Sequence, residues 1–421
     1  MISAALPIIG MRAPASPLLR RLAAAGAATL LVNGFNFVLG VWLVRYLAPR
    51  TFGIWAMLTT LQAIAGVLLT ALVAQQMAYT LPRVRHPARG RVQVNTFTSI
   101  ASWCIAGFVP ATAVTLHLLE LPVGMVAAGC MFVAAAGIRQ HARFHLYAVR
   151  RPRGVLAQDV AFVLLAACGV AFAGSRRDLT PLLLALTLAN VVAVAWRRSL
   201  PMPAVAPARV RRHALVYSRH GARATWSLVT VALSTLSALA PNLALASTGS
   251  LAALALVAAP ATLLAPVRLV ALTFQASLRA EFAAMIHADR RGPTLLLYAG
   301  ASGAALLACL LLGGVLWAGW DWLSPRVFAR GYDAASLYRT TMLAFGIAAV
   351  NVVRLPGAVL LNALGVFRFS AATLAIVVPI VLASSFQLAH DGAVTAVLYP
   401  ALLGEIAVFA AELTVLFRRM R

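Results

Sequence analysis

Between residues 22 and 417 the chain alternates long apolar runs with short connections that carry arginine and proline. A helix needs about 20 apolar residues to cross the hydrocarbon of a bilayer. In lipid the backbone must satisfy its own hydrogen bonds, so such runs become helices. The qualifying segments are 22–46, 52–80, 93–118, 122–148, 154–174, 179–196, 214–246, 249–276, 293–319, 334–364, 368–388 and 393–417. They predict an all-α polytopic membrane protein with about 12 transmembrane helices. Composition agrees. Hydrophobic residues make up 62% of the chain and charged residues 11%, against roughly a quarter charged in soluble domains. The run after Arg21 lacks a small-residue cleavage site and reads as a first span, not a removed signal peptide.

Charge sets the orientation. The chain has no lysine, so all 35 of its cationic side chains are arginine, and the net charge is +25. In a soluble chain that balance would suggest nucleic acid. Here most arginines sit between apolar runs, on alternate connections, so no nucleic-acid partner is expected. With the N-terminus cytoplasmic, the external connections hold Arg45, Arg50, Arg176, Arg177, Arg326, Arg330 and Arg339. Arg139, Arg143, Arg219, Arg223, Arg268 and Arg354 fall within spans, and every other arginine falls on the cytoplasmic side. The positive-inside rule then places both termini in the cytoplasm. Trp42, Trp55, Trp317, Trp320 and Trp322 fall near the external face, as an aromatic belt would. Cys104, Cys130, Cys168 and Cys309 lie inside apolar runs without metal-ligand spacing, so neither a disulfide nor zinc is expected.

The polar segment RRSLPMPAVAPARVRRH cannot be a membrane helix and divides the spans into sixes. The expected organisation is an N-terminal six-helix lobe (1–197), a cytoplasmic linker (198–213) and a C-terminal six-helix lobe (214–421) around a central cavity. Two short alignments suggest a parallel internal repeat. Setting Gly53 on Gly249 brings Arg83 to Arg279. Setting LYAVRR beside LNALGV brings Arg139 to Arg354.

Ionisable residues inside spans are costly and mark candidate functional sites. In GIRQHARFH, Arg139 and Arg143 lie within about 40° of each other at 100° per residue, with His141 and His145 on the opposite face. Arg212, Arg219 and Arg223 form a similar stripe in the seventh span. Arg268 follows Pro260 and Pro266, and Arg354 precedes Pro356 and Gly357. Proline frees carbonyls, often in cavity-lining helices. The alternative for each arginine is snorkelling to lipid phosphate, or internal pairing. Of the acids, Asp159, Glu405 and Glu412 read first as partners for these arginines, and second as a proton or sodium site. Polar stripes run along span one (Thr29, Asn33, Asn36, Gly40) and span seven (Ser227, Thr230, Ser234, Ser237). Each is a helix-packing interface or a cavity wall. The chain lacks GxxxxGK[ST], HExxH and GxSxG motifs. No enzymatic role and no cofactor are expected.

VWLVRYLAPRTFGIWAML, VLLNALGVFRFS and HDGAVTAVLYPALLGEIAVFAAELTVLFRR resemble the opening and closing helices of Wzx-type polysaccharide flippases. These form a branch of the multidrug/oligosaccharidyl-lipid/polysaccharide exporter (MOP) superfamily. The resemblance implies transfer of a polyprenyl-diphosphate-linked oligosaccharide from the cytoplasmic to the periplasmic leaflet of a bacterial inner membrane, by alternating access. It implies membrane lipids as surroundings, with polysaccharide polymerase and chain-length proteins as partners. The substrate-binding candidates, chosen by helix phasing, are Arg139, Arg143, Arg219, Arg223, Arg268 and Arg354. Arg45 and Gly53 match the family signature and read as structural. The competing readings are a cation-coupled multidrug exporter of the same superfamily and a non-transporting subunit of a polysaccharide synthase complex.

Overall fold

The computed structural model describes residues 17–81, 87–149, 151–173, 178–196, 217, 221–267, 278, 281–282, 285–286, 291–328, 331–364 and 366–420. Its helices before residue 197 are α1 (Pro17–Tyr46), α2 (Pro49–Leu69), α3 (Gln75–Thr80), α4 (Pro87–Leu118), α5 (Val123–Ala148), α6 (Pro152–Ala173) and α7 (Leu179–Ala195). After residue 220 come α8 (Gly221–Ser247), α9 (Leu251–Leu263), α10 (Arg291–Ala318), α11 (Trp320–Val327), α12 (Ala334–Ala363), α13 (Phe367–His390) and α14 (Leu398–Met420). Among the described residues, 10 helical stretches are long and apolar enough to cross a membrane. The shorter apolar helices Leu179–Ala195 and Leu251–Leu263 occupy the remaining two expected positions. The chain is a multi-pass, all-α membrane protein. Below, "outer" is the end where α1 finishes and "inner" the end where α14 finishes.

The expected spans need local corrections. The second is broken by a π-turn at Thr70–Ala74 before it continues as α3. There the Thr70 hydroxyl donates to the Gly66 carbonyl at 2.7 Å. A side-chain bond into the helix ladder is a known source of helix bending. The last span starts at Leu398, not 393, because Gly392 turns the chain with φ 75°. The short α11 was not anticipated. The 198–213 linker, Arg83 and Arg279 lie outside the described residues.

Outer helix starts carry polar caps. Asp178 accepts from the Thr180 N–H at 3.0 Å, and Asp333 accepts from the Ser336 N–H at 2.8 Å. Each satisfies an orphan donor of the first turn. The Ser336 hydroxyl and N–H beside exposed Asp333 hold its carboxyl below the ordinary range.

Helices pack within two sets, and not only between neighbours in the chain. Before residue 197, α5 packs on α4 and α7, α6 on α7, and α1 on α6. After residue 220, α8 packs on α13, α12 on α10 and α14, and α13 on α14. The two sets meet chiefly where α2 crosses α9 and α8, with α1 against α9 and α11. Gly53 allows the first crossing, since a Cβ there would run into the Leu251 backbone carbonyl. Small residues let membrane helices approach closely.

At the outer end one buried apolar cluster spans both sets. It joins Leu43, Leu47, Phe52 and Leu58 to Leu251, Leu254, Trp320, Phe328 and Leu337. Inner-end clusters divide between the sets: Leu278, Phe282, Val359 and Leu416 form one, and Leu69, Val73, Met77 and Phe97 another. Tyr217 reaches across to the latter. Its hydroxyl donates to the Leu72 carbonyl at 2.8 Å, and its ring meets Phe97 edge-on. The aromatic belt is also smaller than expected. Trp317 and Trp322 are exposed, whereas Trp55 and Trp320 are buried in the outer cluster.

Candidate functional site

A cavity of about 570 Å³ opens among α1, α2, α5, α6 and α7, with Thr262 and Ala265 closing one side. Its polar wall is Asn33, Asn36, Thr59, Gln62, Gln140, Asn190 and Thr262, and its aromatic wall is Phe37, Trp55, Phe132 and Phe162. The first-span stripe thus becomes cavity wall at Asn33, Asn36 and Gly40. Of the seventh-span stripe, Thr230, Ser234 and Ser237 do not line it, and the side chain of Ser227 lies outside the described residues.

Arg139 is the one charged residue on this wall among the described residues. Its side chain is held from three directions. Nη1 donates to Asp159 Oδ1 on α6 at 3.0 Å, and Nε donates to Asn190 Oδ1 on α7 at 2.7 Å. The guanidinium also lies 3.8 Å from the centre of the Phe162 ring, a cation–π contact. Asn190 is itself oriented by donating to the Leu186 carbonyl at 2.7 Å. Arg143, one turn along, places Nε 3.2 Å from Asp159 Oδ2. That approach makes an ion pair without hydrogen-bond alignment. A buried guanidinium (Arg139) and a partly buried one (Arg143) therefore share one carboxylate, which leaves an excess positive charge beside the cavity.

The opposite face of α5 behaves as phasing requires. His141 is buried and its Nε2 lies 3.2 Å from Thr98 Oγ1 on α4. Arg354 belongs to a different cluster. Its Nη2 lies 3.3 Å from Glu405 Oε2 and its Nη1 3.5 Å from Glu412 Oε1, both on α14. Asn351, one turn back, donates to Glu405 Oε2 at 3.3 Å. All three intramembrane acids thus pair with arginine, as the first reading of the sequence expected. Arg139 and Arg354, aligned by the tentative repeat, each sit on the fourth spanning helix of their set, at the centre of an ionic cluster. Arg219 and Arg268 lie outside the described residues, as does the side chain of Arg223.

Sequence reasoning missed Asn190 and Asn351. Each is an amide set among apolar residues of its helix, which was the available signal. Arg45 acts structurally, as its motif implied. Its Nη1 donates to the Arg326 carbonyl at 3.0 Å and ties α1 to α11 across the outer end.

Among the described residues, ten helical stretches long and apolar enough to span, two shorter apolar helices and a polar cavity among α1, α2, α5, α6 and α7 make up the fold. No family model matches the chain and no curated relative is similar to it in sequence. Solved structures do match. The lipid II flippase MurJ in an inward closed conformation aligns with TM-score 0.70 at 8% identity, over 93% of this chain and 86% of that one. A multidrug resistance MATE family transporter of the MOP superfamily, inward-facing, aligns with TM-score 0.64 at 12% identity, over 94% and 97%. An outward-facing conformation with the same description gives TM-score 0.53 at 12% identity, over 95% and 94%. At these identities the likeness establishes the fold.

Proposed function

We propose that this protein is a flippase for a polyprenyl-diphosphate-linked oligosaccharide, moving it from the cytoplasmic to the periplasmic leaflet during surface polysaccharide synthesis. Lobes 1–197 and 214–421 alternate access around the cargo, both termini are cytoplasmic, and polymerase and chain-length proteins act downstream. The observation that carries this reading is the cavity wall. It offers amides, hydroxyls and aromatic rings, with Arg139 as its one described charge and no described carboxylate. Hydroxyl-rich sugars suit such a wall, and a diphosphate suits the excess guanidinium charge behind it. A cationic drug would meet repulsion there.

The test is to delete the gene and find which leaflet accumulates the lipid-linked sugar. Cytoplasmic-leaflet accumulation supports the flippase. Unchanged export with lost drug resistance would replace it with the multidrug exporter, and periplasmic accumulation with the synthase subunit. Arg139→Ala is expected to lower export several-fold at normal protein abundance.

A further inference from the structure

The two ionic clusters are unbalanced in opposite senses. Arg139 and Arg143 share Asp159, whereas Glu405 and Glu412 share Arg354. The second cluster carries one negative charge too many, inside a membrane where uncompensated charge is costly.

Its geometry shows where the imbalance falls. Glu405 Oε2 is occupied by both Arg354 Nη2 and Asn351 Nδ2. Glu412 spends Oε1 on Arg354 Nη1, while its Oε2 is buried without a partner. The Glu412 side chain is 5% exposed. Among the described side chains, Arg354 is the cation at ion-pair distance from Glu412; the side chains of Arg223, Arg279 and Arg368 lie outside them. From α12 comes Arg354, from α14 itself Glu405, from the 278–286 stretch packed on Leu416 the exposed Glu281, and from α10 the Tyr298 phenol, which makes no hydrogen bond to Oε2. The described side chains of α8 are not ionisable, and on α13 the one that is, His390, sits at the far outer end.

We propose that Glu412 is a proton-binding site. A proton from inner-side water forms an O–H bond at Oε2. The cluster becomes neutral, and the Glu412 contact to Arg354 falls from an ion pair to a hydrogen bond between the guanidinium and a neutral carboxyl. Arg354 then keeps one ion pair to α14, through Glu405, so proton occupancy alters the α12–α14 tie. A metal ion fits less well, because hard cations require several oxygens at once and here Glu412 Oε2 is the one carboxylate oxygen of the cluster that is buried without a partner. Glu412 lies six residues before Arg418 in the last turn of α14, about 9 Å of helix, within reach of inner-side water. The proposal does not depend on the cargo, so a flippase without this proton would leave the proposed function standing.

Infrared difference spectroscopy of the full-length protein in nanodiscs tests it. The wild type should show a carboxylic-acid C=O band that disappears as pH rises, and should release one proton more per chain than Glu412→Gln to a pH indicator dye. Glu412→Gln should lose the band. Glu405→Gln should lose the band and the extra proton too, because Arg354 then balances Glu412 alone. Arg354→Gln should raise the excess to two protons. A band that persists in Glu412→Gln, or its absence from the wild type, overturns the proposal. Sodium chloride at constant pH should leave the band intact; its loss assigns the site to sodium instead. The near-isosteric glutamine variants are first checked for wild-type elution from a sizing column.

Discussion

Asp159 is fully buried and is the described acid that faces both Arg139 and Arg143. Removing one partner of a buried ion pair leaves the other charge uncompensated, at a cost of about 3–5 kcal/mol. Asp159→Ala is therefore expected to lower stability by roughly that amount, read from unfolding in detergent. Adding Arg139→Met should recover part of the loss, since one guanidinium fewer is left unpaired. If Asp159→Ala proves neutral, Asn190 and Phe162 suffice to hold Arg139, and Arg143 needs no carboxylate. This corner was half legible in the sequence. Helical phasing put Arg139 and Arg143 on one face, and scarcity of acids made Asp159 a natural partner. Phasing fixes only the direction of a side chain from its own helix. It could not show that Asp159 lies between the two arginines, or that Arg354 finds α14 and not the cavity.

The spanning elements were legible because lipid permits few alternatives to a long apolar helix. Their interruptions were less so. The π-turn at Thr70–Ala74 has no proline or glycine of its own, and its hydroxyl bond reaches back to Gly66. The α11 helix follows Gly319 and buries Trp320 against Phe328 and Tyr338, contacts that exist only once the outer ends meet. Gly53 shows what an element boundary depends on. The atom it would clash with is backbone, which cannot rotate aside. Gly53→Ala must push α2 away from α9, costing about 1–3 kcal/mol as overpacking does. Gly66, in the same helix, has nothing within 4 Å of a built Cβ. Gly66→Ala should be neutral or stabilising by up to about 1 kcal/mol. Thermal unfolding of the two variants side by side checks this, and equal melting points would remove Gly53 from the crossing.

For the whole molecule, the distribution of buried apolar clusters describes a state closed at the outer end. There the two helix sets share one core, capped by the Arg45 bond to the Arg326 carbonyl. At the inner end the clusters separate, and Tyr217 provides the described bridge. If the protein works by alternating access, the outer contacts must part in each cycle, and α1 must separate from α9. A Cβ built on Gly40 lies 3.8 Å from the Cβ of Thr262, within the roughly 3.5–4.5 Å that a disulfide spans. The pair Gly40→Cys and Thr262→Cys should therefore cross-link under mild oxidation. Oxidation should stop export in the double variant and a reductant should restore it, while each single variant should not respond to oxidant. Gel mobility after cleavage between the halves reports the cross-linked fraction. Full export from a fully cross-linked population would mean that α1 and α9 move as one body, and the opening seam would then lie elsewhere, between α2 and α8 or at α11.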